Sequence, residues 1–255
     1  GARIALASGK IVECSPTQNA ELWQASRLHL GAFGLVVAVQ LQCVESYRLQ
    51  EQIQKLPLSE ALNDLDTLVA NNRHCEFFWY PQSDTANLKT INPTDTPAEY
   101  PLAGEGERCG WSYEVLPNHR PHLHTEMEYS VRASQGPECM RAIQSLLNDT
   151  FTDVRWPVEY RTLAADDVWL STAYQRDTVT ISVHQDVNLP DGDYYRACEE
   201  IFLDFDGRPH WGKANYLTGE QLAKQHARWD DWWRVRDGVD PKGTFLNPYM
   251  RSIRP

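Results

Sequence analysis

Positions 124–132, His-Thr-Glu-Met-Glu-Tyr-Ser-Val-Arg, alternate strictly, and no other stretch limits the possible folds as sharply. On a strand, Thr125, Met127, Tyr129 and Val131 fall on one side and Glu126, Glu128 and Ser130 on the other. Such a strand needs an apolar layer behind it and a polar setting in front. A largely antiparallel sheet covered by helices on one side supplies both, so the expected class is α+β. The two glutamates put like charges side by side, which calls for exposure or for positive partners in a structural ion pair.

The remaining pattern extends that reading. Strands are expected at 4–7, 10–14, 35–41, 47–50, 76–80, 158–163 and 178–184, and helices at 19–30, 58–69, 137–147 and 193–204. Asn19 is the expected N-cap of the first helix, and the β-branched run at 35–41 reads as a buried strand. The stretch 92–122, rich in Pro, Gly and charge, reads as a loop or lid-like insertion. The first ~43 residues are too few to support a core of their own. They are expected to be the end of one domain (1–43), with a second domain over 44–255.

Composition excludes several classes. No apolar run approaches the ~20 residues of a membrane span, and Gly1-Ala2-Arg3-Ile4 has no signal-peptide layout. A soluble protein, cytoplasmic or peripheral, is expected. The net charge of −11 disfavours a nucleic-acid partner. Six scattered cysteines give neither a zinc-type spacing nor a disulfide framework, so buried reduced thiols and no metal are expected. Nine tryptophans suit a core, or the walls of a site for a ring-shaped ligand.

Chemistry concentrates in two places. Glu159 and Arg161 share one face of a strand, where the pair can hold each other and Arg161 can stabilise a developing anion; a solvated surface pair is the plainer alternative. His184, ending the next strand, can reach the same face. Arg208-Pro209-His210-Trp211-Gly212-Lys213 packs a lysine, an imidazole and an indole into a connection. It is either a surface turn with a tucked Trp or a turn pressed against a flat ligand. Gly31-Ala32-Phe33-Gly34 is not a dinucleotide-binding fingerprint, so a Rossmann domain is unsupported.

Six segments in order resemble the sugar-lactone and alditol oxidases of the vanillyl-alcohol oxidase flavoprotein superfamily. They are 30–36 (Leu-Gly-Ala-Phe-Gly-Leu-Val), 127–131 (Met-Glu-Tyr-Ser-Val), 156–162 (Trp-Pro-Val-Glu-Tyr-Arg-Thr), 164–167 (Ala-Ala-Asp-Asp), 208–213 and 245–249 (Phe-Leu-Asn-Pro-Tyr). Within that group the chain is most similar to the D-arabinono-1,4-lactone and L-gulono-1,4-lactone oxidoreductases. The resemblance implies FAD as cofactor and hydride transfer from a secondary alcohol of a sugar lactone or polyol to flavin N5. It implies Glu159, Arg161 and Lys213 as catalytic residues, Gly31, Gly34, His210 and Asn247 as cofactor contacts, and His184 beside the substrate.

It also implies that 1–43 ends an FAD-binding domain whose pyrophosphate loop lies in an N-terminal portion. An N-terminal FAD-binding polypeptide is therefore expected as companion, with 44–255 as substrate or cap domain. The rival expectation is a non-catalytic binding or scaffold module that keeps the cap fold without a cofactor domain.

Overall fold

The structure, a computed structural model, describes residues 1–119 and 121–255. Arg120, inside the expected loop 92–122, lies outside the described residues. In chain order the elements are β1 Ala2–Ala5, β2 Ile11–Cys14, α1 Ala20–Ser26, β3 Leu35–Val39, β4 Arg48–Pro57, α2 Leu58–Asn63 and α3 Leu65–Asn71. Then come β5 His74–Tyr80, β6 Thr85–Pro93, β7 Cys109–Trp111, α4 Ser112–Val115, β8 His124–Arg132, α5 Gly136–Asp149 and β9 Val158–Leu163. The chain ends with β10 Thr178–Asp186, α6 Gly192–Asp204, β11 Arg208–Pro209, α7 Gly219–Gln225, α8 Trp229–Val239 and α9 Pro248–Ser252.

These elements form two compact units, Gly1–Cys43 with Ala165–Arg176 and Tyr216–Pro255, and Val44–Ala164 with Asp177–Asn215. The expected division fell once, at 43–44; the chain also returns twice, at 165–176 and 216–255, to the first unit.

In that first unit a three-stranded antiparallel sheet runs β2-β1-β3. Tryptophans fill its helical core: the Trp232 indole N–H donates to the Leu28 carbonyl at 3.0 Å, and its ring meets Phe33 edge-on at 5.0 Å. Two expectations need correction. Asn19 does not cap α1 through its side chain; its backbone is left-handed (φ 48°) and its amide donates to the Glu13 carbonyl instead. The run 35–41 is not a buried strand either. It forms the edge strand β3, with Leu35, Val37 and Val39 exposed, because a β-branched run sets strand propensity and not what covers it.

The second unit is an α+β layer. Its eight-stranded antiparallel sheet has the order β11-β8-β10-β9-β5-β6-β4-β7. Met127, Tyr129, Val131, Val179, Ile181 and Val183 are buried on one face, and Tyr129 stacks on Phe202 of α6 at 5.0 Å. Helix α5 enters this layer at Gly136, where a Cβ would lie 2.3 Å from the Tyr160 hydroxyl and 2.4 Å from Val179 Cγ2. The expected loop 92–122 contains β7 and α4, and the four-residue strand expected at 47–50 is the ten-residue β4. Both were obscured by charge at core positions: Glu51 on β4 is fully buried because Arg108 and Lys89 answer it at 2.5 and 3.2 Å. Five cysteines are buried and Cys43 is exposed; burial pushes the thiols of Cys75 and Cys139 up to about 11 and 12.

Candidate active site

The opposite face of the large sheet is polar, and strand register assembles it. Ser130, Thr180 and Arg161 lie side by side across β8, β10 and β9; Arg161 then stands opposite Glu76 on β5, and Glu76 opposite Lys89 on β6. Glu128, Ser182 and Glu159 form the adjoining row, and Glu126 faces His184 in the next. Most of these groups are buried, so each carboxylate must be answered.

Arg161 answers two of them. Its guanidinium sits 3.2 Å from Glu159 and 3.7 Å from Glu128, and the Ser182 hydroxyl donates to Glu128 at 2.8 Å. Glu159 is 1% exposed, whereas the Arg161 side chain remains 46% exposed. The carboxylates therefore fix the arginine from behind while its charge stays available in front.

The turn at 208–213 is strapped along β8. Arg208 and Pro209 pair with Ser130 and Tyr129, the His210 N–H donates to the Glu128 carbonyl at 2.9 Å, and the Ala214 N–H donates to the Glu126 carbonyl at 3.0 Å. Between those anchors the Gly212 N–H donates to His210 Nδ1 at 3.0 Å. This tight path delivers the Lys213 ammonium to the Glu126 carboxylate, to which it hydrogen-bonds. Across the strand pair, His184 donates from Nδ1 to the Pro157 carbonyl at 2.8 Å, leaving Nε2 3.7 Å from the same carboxylate. Burial works to raise the Glu126 pKa, but hydrogen bonds and positive charge from His184 and Lys213 outweigh it and hold the carboxyl at about 2.

Glu159, Arg161, His184 and Lys213 thus share one sheet face, with Lys213 paired to Glu126 rather than to the Glu159–Arg161 couple. Neither glutamate of β8 is exposed; the ion-pair alternative is the one seen. Exposed His210 shapes the turn that carries Lys213. Gly31, Gly34 and Asn247 lie in the first unit, each with a local task. Gly34 (φ 146°) lets the chain pass the Ala5 carbonyl, which a Cβ would approach to 2.4 Å. The Gly31 N–H donates to His29 Nδ1 at 3.0 Å, and Asn247 Oδ1 caps α9 by accepting the Met250 N–H at 2.8 Å.

Two cavities open on the polar face, joined by Lys89 and Asn118, which line both. One, of about 280 Å³, is walled by Phe78, Tyr80, Trp156, His124 and His184; the other, of about 460 Å³, by Arg161, Glu76 and His74. Sequence reasoning placed Glu126 on the polar side of its strand but gave it no role in the site, and gave none to His124, Trp156 or Lys89; the alternation at 124–132 was the available signal for His124.

Residues 39–108 and 100–253 match the model of the family described as D-arabinono-1,4-lactone oxidase. The chain belongs to this family. It is 33% identical to the L-gulono-1,4-lactone dehydrogenase of Mycobacterium tuberculosis, over 98% of this chain and 67% of that protein. It is 26% identical to the L-gulonolactone oxidase of Bos taurus (97% and 66%) and 27% identical to the alditol oxidase of a Streptomyces species (88% and 60%). The chain thus spans about two thirds or less of the length of these oxidoreductases of CH–OH donors. A solvent-stable cholesterol oxidase shares the fold, with a TM-score of 0.82 at 18% identity, covering 100% of this chain and 69% of that one. Among the described residues no helix is long and apolar enough to cross a membrane.

Proposed function

We propose that this chain forms the substrate side of an FAD-dependent oxidoreductase that oxidises a secondary alcohol of a sugar lactone or polyol. Residues 1–43 would end its FAD-binding domain, and an N-terminal FAD-binding polypeptide would be its companion. The observation that carries the reading is the pair of anchored cations, Lys213 on Glu126 and Arg161 on Glu159 and Glu128, on one face lined by cavities. A scaffold has no need to hold two cations against buried carboxylates, where removing one partner is costly.

The donor set fits the cofactor. Thr180 Oγ1, buried in the same row as Arg161, has no hydrogen-bond partner among the described residues and is left over for a bound group. When bound, FAD would supply the acceptor, its N5, for the hydride that leaves the carbinol carbon. Around it, Arg161 offers positive charge to an anion that develops on reduction, and Lys213 orients the substrate hydroxyl. Glu126 holds that lysine, and the neutral form of His184, whose Nε2 lies 3.7 Å from Glu126, would receive the proton the hydroxyl gives up. Trp156 and Tyr80 supply flat walls of the kind that pack on sugar rings.

The test is Lys213→Met in the flavin-loaded enzyme, with flavin reduction by a sugar lactone or polyol followed under anaerobic single-turnover conditions. A fall of about 100-fold or more, the effect of losing one charged donor, is expected. An unchanged rate in a variant that binds flavin overturns the assignment. A preparation that binds no flavin even with its N-terminal companion returns the chain to the scaffold reading.

A further inference from the structure

We infer that His124, Glu126 and His184 form a binding site for one divalent transition-metal ion of the zinc class. Strand pairing assembles it: His124 and Glu126 are two apart on β8 and share a face, and His184 stands directly opposite Glu126 on β10. Ligand atoms of the three residues all lie within 4.8 Å of one another. The Glu126 carboxylate reaches both imidazoles, 3.7 Å from each Nε2. Donors around a tetrahedral ion with ~2.0 Å bonds stand about 3.3 Å apart, so small side-chain rotations close the shell.

The rings are already oriented as ligands. His184 Nδ1 is 2.8 Å from the Pro157 carbonyl, and His124 Nδ1 is 3.0 Å from the His122 carbonyl. A carbonyl only accepts, so both Nδ1 atoms carry a proton, and both Nε2 atoms turn toward Glu126; an arriving ion takes the Nε2 lone pair and releases to solvent any proton held there. A ring nitrogen donating to a backbone carbonyl while the other faces the ion is the usual support of a metal-bound histidine. Two imidazoles and one carboxylate suit zinc, copper, nickel or cobalt rather than magnesium or calcium. The 280 Å³ cavity lined by His124 and His184 provides an entry path, and His119 and His122 line it as well.

One group competes. The Lys213 ammonium occupies Glu126 Oε2, the oxygen nearer His124, so an arriving ion displaces it. Metal binding is thereby set against the engagement of a residue that the proposed activity uses, and the site would act as an inhibitory one. Ligand binding itself does not depend on that activity.

Calorimetric titration of the protein with Zn²⁺, without substrate, tests the site. One equivalent should bind saturably. His124→Ala, at a partly exposed position, should weaken binding by at least about tenfold, since even loss of a supporting partner costs that much. Lys213→Met should tighten it, because its ammonium no longer repels the ion. No saturable single equivalent, or unchanged affinity in both His124→Ala and His184→Gln while thermal unfolding shows them folded, overturns the site. Unchanged or weaker binding in Lys213→Met removes Glu126 from it and overturns it too. Slow flavin reduction in Lys213→Met together with absent zinc binding would sink the metal site and leave the proposed function standing.

Discussion

Glu126 is the residue on which the polar face turns. Its carboxyl, held at about 2 against an ordinary 4.5, contributes stability present above pH 4.5 and lost as the pH falls toward 2. Glu126→Gln should therefore narrow the gap to wild type across that window, by on the order of 2 to 3 kcal/mol in urea unfolding. A gap independent of pH between 4.5 and 2 would refute the pairing. The same pairing makes Lys213 more than a turn ornament: Lys213→Met alone should destabilise by about 1–3 kcal/mol, through the stranded carboxylate. Adding Glu126→Gln should restore much of that stability and none of the turnover, which separates the structural task of Lys213 from its chemical one.

Among the elements, β8 and β9 were legible to the residue, since period-two alternation survives wherever one face is apolar. Strand β6 was not read, and β4 only in part, because Glu51 and Lys89 place charges at sheet positions. Their neutralisation joins residues 38 apart (89 − 51), which no local pattern encodes. The site was half legible for the same reason. Glu159 and Arg161 announce each other by spacing, whereas Lys213 meets Glu126 across 87 residues through the pairing of the 208–213 turn with β8. Packing between elements is testable at Gly136. Gly136→Ala forces a methyl into the Tyr160 hydroxyl and Val179, and should cost about 1–3 kcal/mol, roughly 2–4 °C of Tm per kcal/mol. Gly192→Ala, where the added Cβ meets nothing within 4 Å, should be neutral or slightly stabilising; equal losses at both positions would refute the tight contact.

For the molecule as a whole, thiol titration gives a direct check on burial. At pH 8 an aromatic disulfide should modify one cysteine of the native protein, Cys43, and all six after unfolding. Two or more fast-reacting native thiols would contradict the buried placement of the others. Strand pairing has a further consequence. A one-residue slip of β10 would exchange Thr180, Ser182 and His184 for Val179, Ile181 and Val183, turning the whole strand over. A slipped chain could still collapse and stay compact, yet it would carry apolar side chains where Glu126 and Glu128 look for His184 and Ser182. Counting competent sites per folded molecule is therefore a direct measure of folding fidelity, because the chemistry proofreads the weave of the sheet.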